Sequence, residues 1–89
     1  MPTIILLGDT GTGHGKHGAT QVISGSPTVK VDGKPVARQG DALASHGGHE
    51  RTIAGGSSRV FIDGKPAARE GDAVSCGGVL IGGSSVKIG

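Results

Sequence analysis

Hydrophobic and polar positions along this chain repeat in short blocks rather than in helical turns. Val29-Lys30-Val31 alternates apolar and polar, then meets Asp32-Gly33, and Pro35-Val36-Ala37-Arg38 returns. Val60-Phe61-Ile62, Asp63-Gly64 and Pro66-Ala67-Ala68-Arg69 repeat that order. Asp-Gly between strand-like runs predicts a two-residue hairpin turn, because a type I′ turn needs positive φ at both central residues. Proline cannot donate to a ladder, so the amide positions of Pro35 and Pro66 must face away from a partner strand. Ile4 to Leu7 is an apolar run without alternation and reads as a strand buried on both faces. Gln21 to Ser24, Thr52 to Ala54 and Val79 to Ile81 read as further short strands. The Gly, Thr and His-rich stretches from Gly8 to Gly18 and from Ser45 onward read as loops, as does Cys76 to Gly78. No helical period of useful length occurs.

The blocks are copies of one unit. Lys34-Pro35-Val36-Ala37-Arg38 and Lys65-Pro66-Ala67-Ala68-Arg69 are each followed, two residues on, by Gly-Asp. A third Gly-Asp is Gly8-Asp9, so Asp9, Asp41 and Asp72 stand 32 and 31 positions apart. A fixed period of this length means one supersecondary unit used repeatedly. The third unit runs through Val86-Lys87-Ile88 and stops where a return strand is due. Ile4 to Leu7 precedes Gly8-Asp9 as Val36 to Gln39 precedes Gly40-Asp41. The N-terminal run is therefore expected to pair with Val86 to Ile88, closing three units into a ring and covering two sheet edges.

Composition adds a constraint. The 89 residues make one domain, about a third hydrophobic, with Phe61 the sole aromatic and nineteen glycines. Such a chain buries only a modest core, and small domains of this kind lean on disulfides, metal or association. Cys76 is the single cysteine, which excludes an internal disulfide. The net charge of +2 is spread along the chain, and there is no Trp or Tyr to stack bases, so nucleic-acid binding is not expected. No apolar segment has the length of a membrane span, and residues 1–7 lack the features of a signal peptide.

Candidate chemistry sits just after each Gly-Asp. Asp9 leads His14 by five, Asp41 leads His46 by five and Asp72 leads Cys76 by four. His17 and His49 form a second equivalent pair, while the third unit offers only Val79 there. Imidazole and thiolate suit zinc, which wants four tetrahedral ligands, so five residues compete for four places. The alternative is that Gly-flanked histidines are solvated loop residues and Cys76 a small buried hydrophobe. A Cys–His nucleophile pair or a zinc-activated water would make the chain an enzyme, but four protein ligands leave no open position. The Gly-Asp aspartates are expected to cap backbone amides. Arg38 and Arg69 are expected to bond carbonyls or those aspartates. Thr10 to Gly15 lacks the Lys-Ser/Thr ending of a phosphate loop.

The Pro-Val-Ala-Arg and Pro-Ala-Ala-Arg words, in register with three Gly-Asp pairs and the His and Cys positions, resemble the PAAR-repeat proteins. That family forms the sharpened tip of the VgrG spike in type VI secretion and related contractile injection machines. The resemblance implies an all-β, small conical fold of hairpin repeats with pseudo-three-fold symmetry, a zinc-bound apex and paired N- and C-terminal strands. It implies a structural zinc held by three histidines and one cysteine. The family's first histidine matches His14, giving His14, His46, His49 and Cys76 as the expected ligands, with His17 in reserve. The implied function is mechanical, not enzymatic: capping and sharpening a trimeric VgrG-like spike to aid puncture of target membranes. The alternative is an adaptor that loads effector cargo non-covalently. The chain is expected to be a single PAAR-repeat domain over residues 1–89 without a toxin extension. It is expected in the bacterial cytoplasm before assembly and then delivered at the spike tip, with no stable membrane insertion and no nucleic-acid partner.

Overall fold

The computed structural model describes residues 1–13, 18–75 and 77–89, with the backbone alone at His46 and His49. It is all-β: β1 (Thr10–Gly11), β2 (Thr20–Gln21), β3 (Lys30–Val31), β4 (Lys34–Pro35), β5 (Ala42–His46), β6 (His49–Thr52), β7 (Phe61–Ile62), β8 (Lys65–Pro66) and β9 (Leu80–Ile81). Strands β2, β1 and β9 form one antiparallel sheet, and β3–β4, β5–β6 and β7–β8 are antiparallel pairs. The body measures 32 × 24 × 21 Å.

Both Asp-Gly turns form as expected. Asp32 and Gly33 have φ of 52° and 78°, and Asp63 and Gly64 have 54° and 78°. Pro35 and Pro66 lie opposite Lys30 and Phe61. Their carbonyls accept from the amides of Gln39 (from Pro66) and Leu7 (from Pro35), 2.8 and 2.9 Å away. Each return arm therefore passes from its own hairpin to the next unit.

The three units are wound about a common axis, and a closed circuit of backbone bonds marks it. Ile5 donates to Ala68, Ala68 to Ala37 and Ala37 to Ile5, at 3.0, 3.0 and 2.8 Å. Ile5, Ala37 and Ala68 occupy the same place in the repeat and are fully buried. Within each unit a further set of bonds repeats: the amides of Gly8, Gly40 and Gly71 bond the carbonyls of Val22, Ile53 and Leu80. The amides of Val22, Ile53 and Leu80 in turn bond the carbonyls of Asp9, Asp41 and Asp72.

The start of the chain does pair with Val86 to Ile88, but through residues 2–4 rather than the expected 4–7. Thr3 bridges Lys87, the Ile4 amide bonds the Val86 carbonyl at 2.9 Å, and the Ile88 amide bonds the Pro2 carbonyl at 2.9 Å. Residues 4–7 do not form one continuous strand, as the apolar run suggested. They bridge in turn to Arg69 and Val36, because the return arm of a three-fold winding must touch both neighbours. Ile4, Ile5 and Leu6 are all buried by that arrangement.

Two stretches read as loops are strands. Thr10–Gly11 in the first Gly/Thr-rich segment becomes the centre of the β2-β1-β9 sheet. The segment from Ser45 is the turn of the β5–β6 hairpin, with Gly47 and Gly48 at φ of 54° and 82°. Glycine at both central positions permits the same two-residue geometry as Asp-Gly.

Side-chain packing about the axis compensates for the thin composition by sharing volume unequally. One isoleucine and two alanines meet at Ile5, Ala37 and Ala68, and Val22, Ile53 and Leu80 fill another equivalent set within the same cluster. Gly11, Leu43 and Val74 are equivalent in sequence, and a Cβ on Gly11 would lie 2.4 Å from Leu43 Cδ2. Gly11 thus leaves the space that Leu43 takes. A second cluster of Ile4, Leu6, Val36, Ala67 and Ile88 lies under the hairpins, flanked by Val29, Val31, Val60 and Ile62.

Candidate functional site

The repeat fixes its own corners with the Gly-Asp pairs. Gly8, Gly40 and Gly71 have φ of 93°, 94° and 90°, a conformation that suits residues without a Cβ. The aspartate that follows then folds back onto the amide three residues before it. Asp9, Asp41 and Asp72 each accept from the amides of Leu6, Arg38 and Arg69 at 2.8 Å. The aspartates therefore cap backbone, as the sequence suggests, and two of them also hold arginines. Arg38 Nε and Nη2 meet Asp41 at 2.9 and 3.0 Å, and Arg69 Nε and Nη2 meet Asp72 at 3.0 and 2.8 Å. These carboxylates hold both guanidinium groups above the ordinary arginine range.

Between the hairpins, each unit reaches the next through a side chain. Asp32 accepts from Ser85 Oγ at 2.6 Å, Asp63 accepts from Ser26 Oγ at 2.5 Å, and Ser57 Oγ donates to the Gly89 carbonyl at 2.6 Å. Hydroxyl donation from Ser85 lowers the Asp32 carboxyl below its ordinary range. Ser26 and Thr28 do the same to Asp63, with Arg38 Nη1 adding an ion pair at 2.9 Å. The two Asp-Gly hairpins and the paired segments 2–4 and 86–88 are thus laced into a ring.

The described backbone flanking the residues singled out as metal ligands gathers around β1, β5, β6 and β9, apart from the Asp-Gly hairpins, at the far end of the fold. His46 and His49 are backbone partners across the Gly47-Gly48 turn, at the tip of the β5–β6 hairpin. His14, His17 and Cys76 lie outside the described residues. Their flanking backbone is described, and it converges. The Thr12 amide bonds the Val79 carbonyl at 2.8 Å, and the Val79 amide bonds Thr12 Oγ1 at 2.9 Å. The Ser75 amide bonds the Thr52 carbonyl, and the Thr52 amide bonds Ser75 Oγ, both at 2.8 Å. The segment before His14, the strand after His49 and the residues on both sides of Cys76 are therefore lashed together. Imidazoles and one thiol carried on three such segments form a donor set suited to zinc. No group of potential metal ligands occurs among the described residues, the histidine side chains and Cys76 standing outside that set.

Sequence reasoning missed Arg51. Its side chain is buried at 1% exposure, and among the described residues it meets no carboxylate. Nη1 bonds the Gly11 carbonyl at 3.2 Å and Thr20 Oγ1 at 2.8 Å. Nη2 bonds the carbonyls of Thr12 and Gly77, the latter at 3.2 Å. Nε has no partner among the described residues. The signal was present: Arg51 stands two residues before buried Ile53, in the inward phase of a strand.

A single chain wound three times about an axis, with residues 2–4 paired to 86–88, makes a small all-β body of pseudo-three-fold symmetry. The family described as PAAR motif matches residues 12–82 of the 89. The chain belongs to the PAAR-motif family. Members of that family are associated with the spike tip of type VI secretion systems, as structural components rather than enzymes. None of the curated proteins matches this chain.

Proposed function

We propose that this protein caps and sharpens the end of a trimeric VgrG-like spike and that its work is mechanical. The observation that carries this is the closed circuit through Ile5, Ala68 and Ala37, which gives one chain three near-equivalent faces. Such a body can meet a three-fold shaft with all three faces at once. Strand edges around the hairpins could extend the strands of the shaft. Stiffness would come from interlocked backbone bonding rather than from core bulk. The protein would be made and held in the cytoplasm and leave it at the spike tip.

Zinc fits this end of the molecule by the chemistry of the donors and the convergence of their flanks. His14, His46, His49 and Cys76 would hold it, with His17 able to stand in for His14. With four protein ligands the ion serves structure, since catalytic zinc keeps a position open. The ion would supply a cross-link between three loops, on a scale of about 10–16 kcal/mol apparent in zinc-finger peptides.

Mixing the purified protein with a trimeric spike protein tests the cap: one copy per trimer is expected, and no complex at micromolar concentration would refute it. Metal content measured on wild type and Cys76→Ala tests zinc: one equivalent is expected in the first and a marked loss in the second. Equal zinc in both would remove Cys76 from the site.

An adaptor role has one observation in its favour. A groove of about 330 Å³ lies beside β5–β6, lined by Ile23, Leu43, Glu50, Arg51 and Thr52 among others, and Ile23 is 58% exposed. A toxin recovered in stoichiometric amount with the assembled spike, and lost with Ile23→Asp, would favour cargo loading.

A further inference from the structure

We propose that Arg51 is the positioning residue of the far-end loops, a clasp built into the chain that brings the flanks of His14 and Cys76 together before any metal binds. This rests on the reading of that end as a metal centre but concerns a residue outside the ligand set. The guanidinium reaches from β6 in the second unit to Gly11, Thr12 and Thr20 in the first and to Gly77 in the third. One side chain therefore joins all three units, two residues from His14 on one side and next to Cys76 on the other. Its four terminal N–H bonds have four acceptors, which is how a buried guanidinium is made tolerable without a carboxylate.

The neighbouring sequence makes room for it. Thr20, Arg51 and Gly78 are equivalent positions of the repeat, as their equal offsets from Val22, Ile53 and Leu80 show. A Cβ on Gly78 would lie 2.9 Å from Arg51 Nη2 and 2.2 Å from the Thr12 carbonyl oxygen. A Cβ on Gly11 would lie 3.6 Å from Nη1 and far inside contact with Leu43. Gly78 thus gives up a side chain where the guanidinium passes, while Gly11 makes room for Leu43 and stands at ordinary contact distance from Arg51. A simple space-filling residue would need no such set of converging carbonyls. Holding ligands in place from outside the coordination sphere is worth about 10–100-fold in metal affinity.

The test uses the full chain, stripped with chelator and then titrated with zinc or cobalt(II). Wild type is compared with Arg51→Met and Arg51→Lys. In the metal-free state, amides of Thr12, Gly77 and Val79 are expected to be protected in wild type. In Arg51→Met they should exchange roughly tenfold faster or more, while Ile5, Ala37 and Ala68 stay protected. Zinc affinity should fall about 10–100-fold and the tetrahedral cobalt absorption should weaken, with Arg51→Lys intermediate because it keeps the charge and loses the fork. If Arg51→Met loses protection at Ile5, Ala37 and Ala68 as well, Arg51→Lys decides. Unchanged exchange at Thr12, Gly77 and Val79, or zinc affinity equal to wild type, overturns the clasp. Wild type that takes up neither metal refutes the zinc reading alone, and the exchange comparison then decides the clasp by itself.

Discussion

Asp9, Asp41 and Asp72 do one job in three equivalent places, yet their removal should cost different amounts. Asp9→Ala loses a carboxylate that accepts from the Leu6 amide, at a position where the repeat has no arginine. A cap of that kind is worth about 1 kcal/mol. Asp72→Ala also strands Arg69, but that pair is 27% and 12% exposed, and water reclaims part of the loss. Solvent screening reduces the expected cost to about 2 kcal/mol. Asp41→Ala takes two of the three carboxylate bonds from Arg38, in a pair that is 10% and 6% exposed, and leaves Nη1 on Asp63. Breaking a buried pair from one side costs about 3–5 kcal/mol, and the surviving contact with Asp63 places this loss at about 3 kcal/mol. In a domain of this size each kcal/mol moves the melting temperature by about 4–8 °C. Calorimetry suits a chain whose sole aromatic is Phe61, and runs in chelator and in excess zinc separate the metal's contribution. The expected order is Asp41 worst, Asp72 next and Asp9 mildest. Arg38→Met with Asp41→Ala should cost less than the two single changes added together, since the pair they share is lost only once. Equal losses at all three sites, or Asp9→Ala as the worst, would refute the reasoning.

Further outcomes follow from the same contacts. Gly78→Ala combines a φ of 98° with a Cβ 2.2 Å from a backbone oxygen, so a loss of about 3 kcal/mol or more is expected by chemical denaturation. Gly83→Ala, with nothing within 4 Å, should be near neutral, and a large loss there would count against the packing described. Asp63 has a carboxyl lowered from 3.8 in the folded state, so its contribution is complete above that pH and is lost as pH falls through the folded value. Acid titration of chelated protein should therefore show a shallower loss of stability below about pH 4 in Asp63→Asn than in wild type, and identical slopes would contradict it.

The hairpins at Asp32-Gly33 and Asp63-Gly64 were legible because a turn of that type is encoded in two residues. The pairing of the chain's start with Val86 to Ile88 was legible for a different reason: a repeat with a missing arm has only one place to find it. The repeat register pointed to Ile4 to Leu7 for that role, whereas only Ile4 of that run takes part, beside Pro2 and Thr3. The β5–β6 hairpin was not, because Gly47-Gly48 lies between His and Glu residues that carry no apolar alternation. β1 was hidden the same way, since Thr10–Gly11 gains its place from β2 and β9 rather than from its own composition. The aspartate caps and the bonds of Arg38 and Arg69 to carboxylates could be anticipated from turn chemistry. Arg51 could not be told from a solvated charge by residue type, and only the burial of Ile53 sets its phase. His14, His17 and Cys76, with the side chains of His46 and His49, lie outside what the structure describes. The metal assignment therefore rests on ligand chemistry and on the backbone around it.

Thr3 and Lys87 stand 84 positions apart in sequence, yet they bridge each other, and Ile4 bonds Val86 beside them. Leu6 meets Val36 much nearer in the chain, so that arm can dock before the ring shuts. Closing the circle is thus the most distant contact the polypeptide must find, and the slowest step of its folding should be that search.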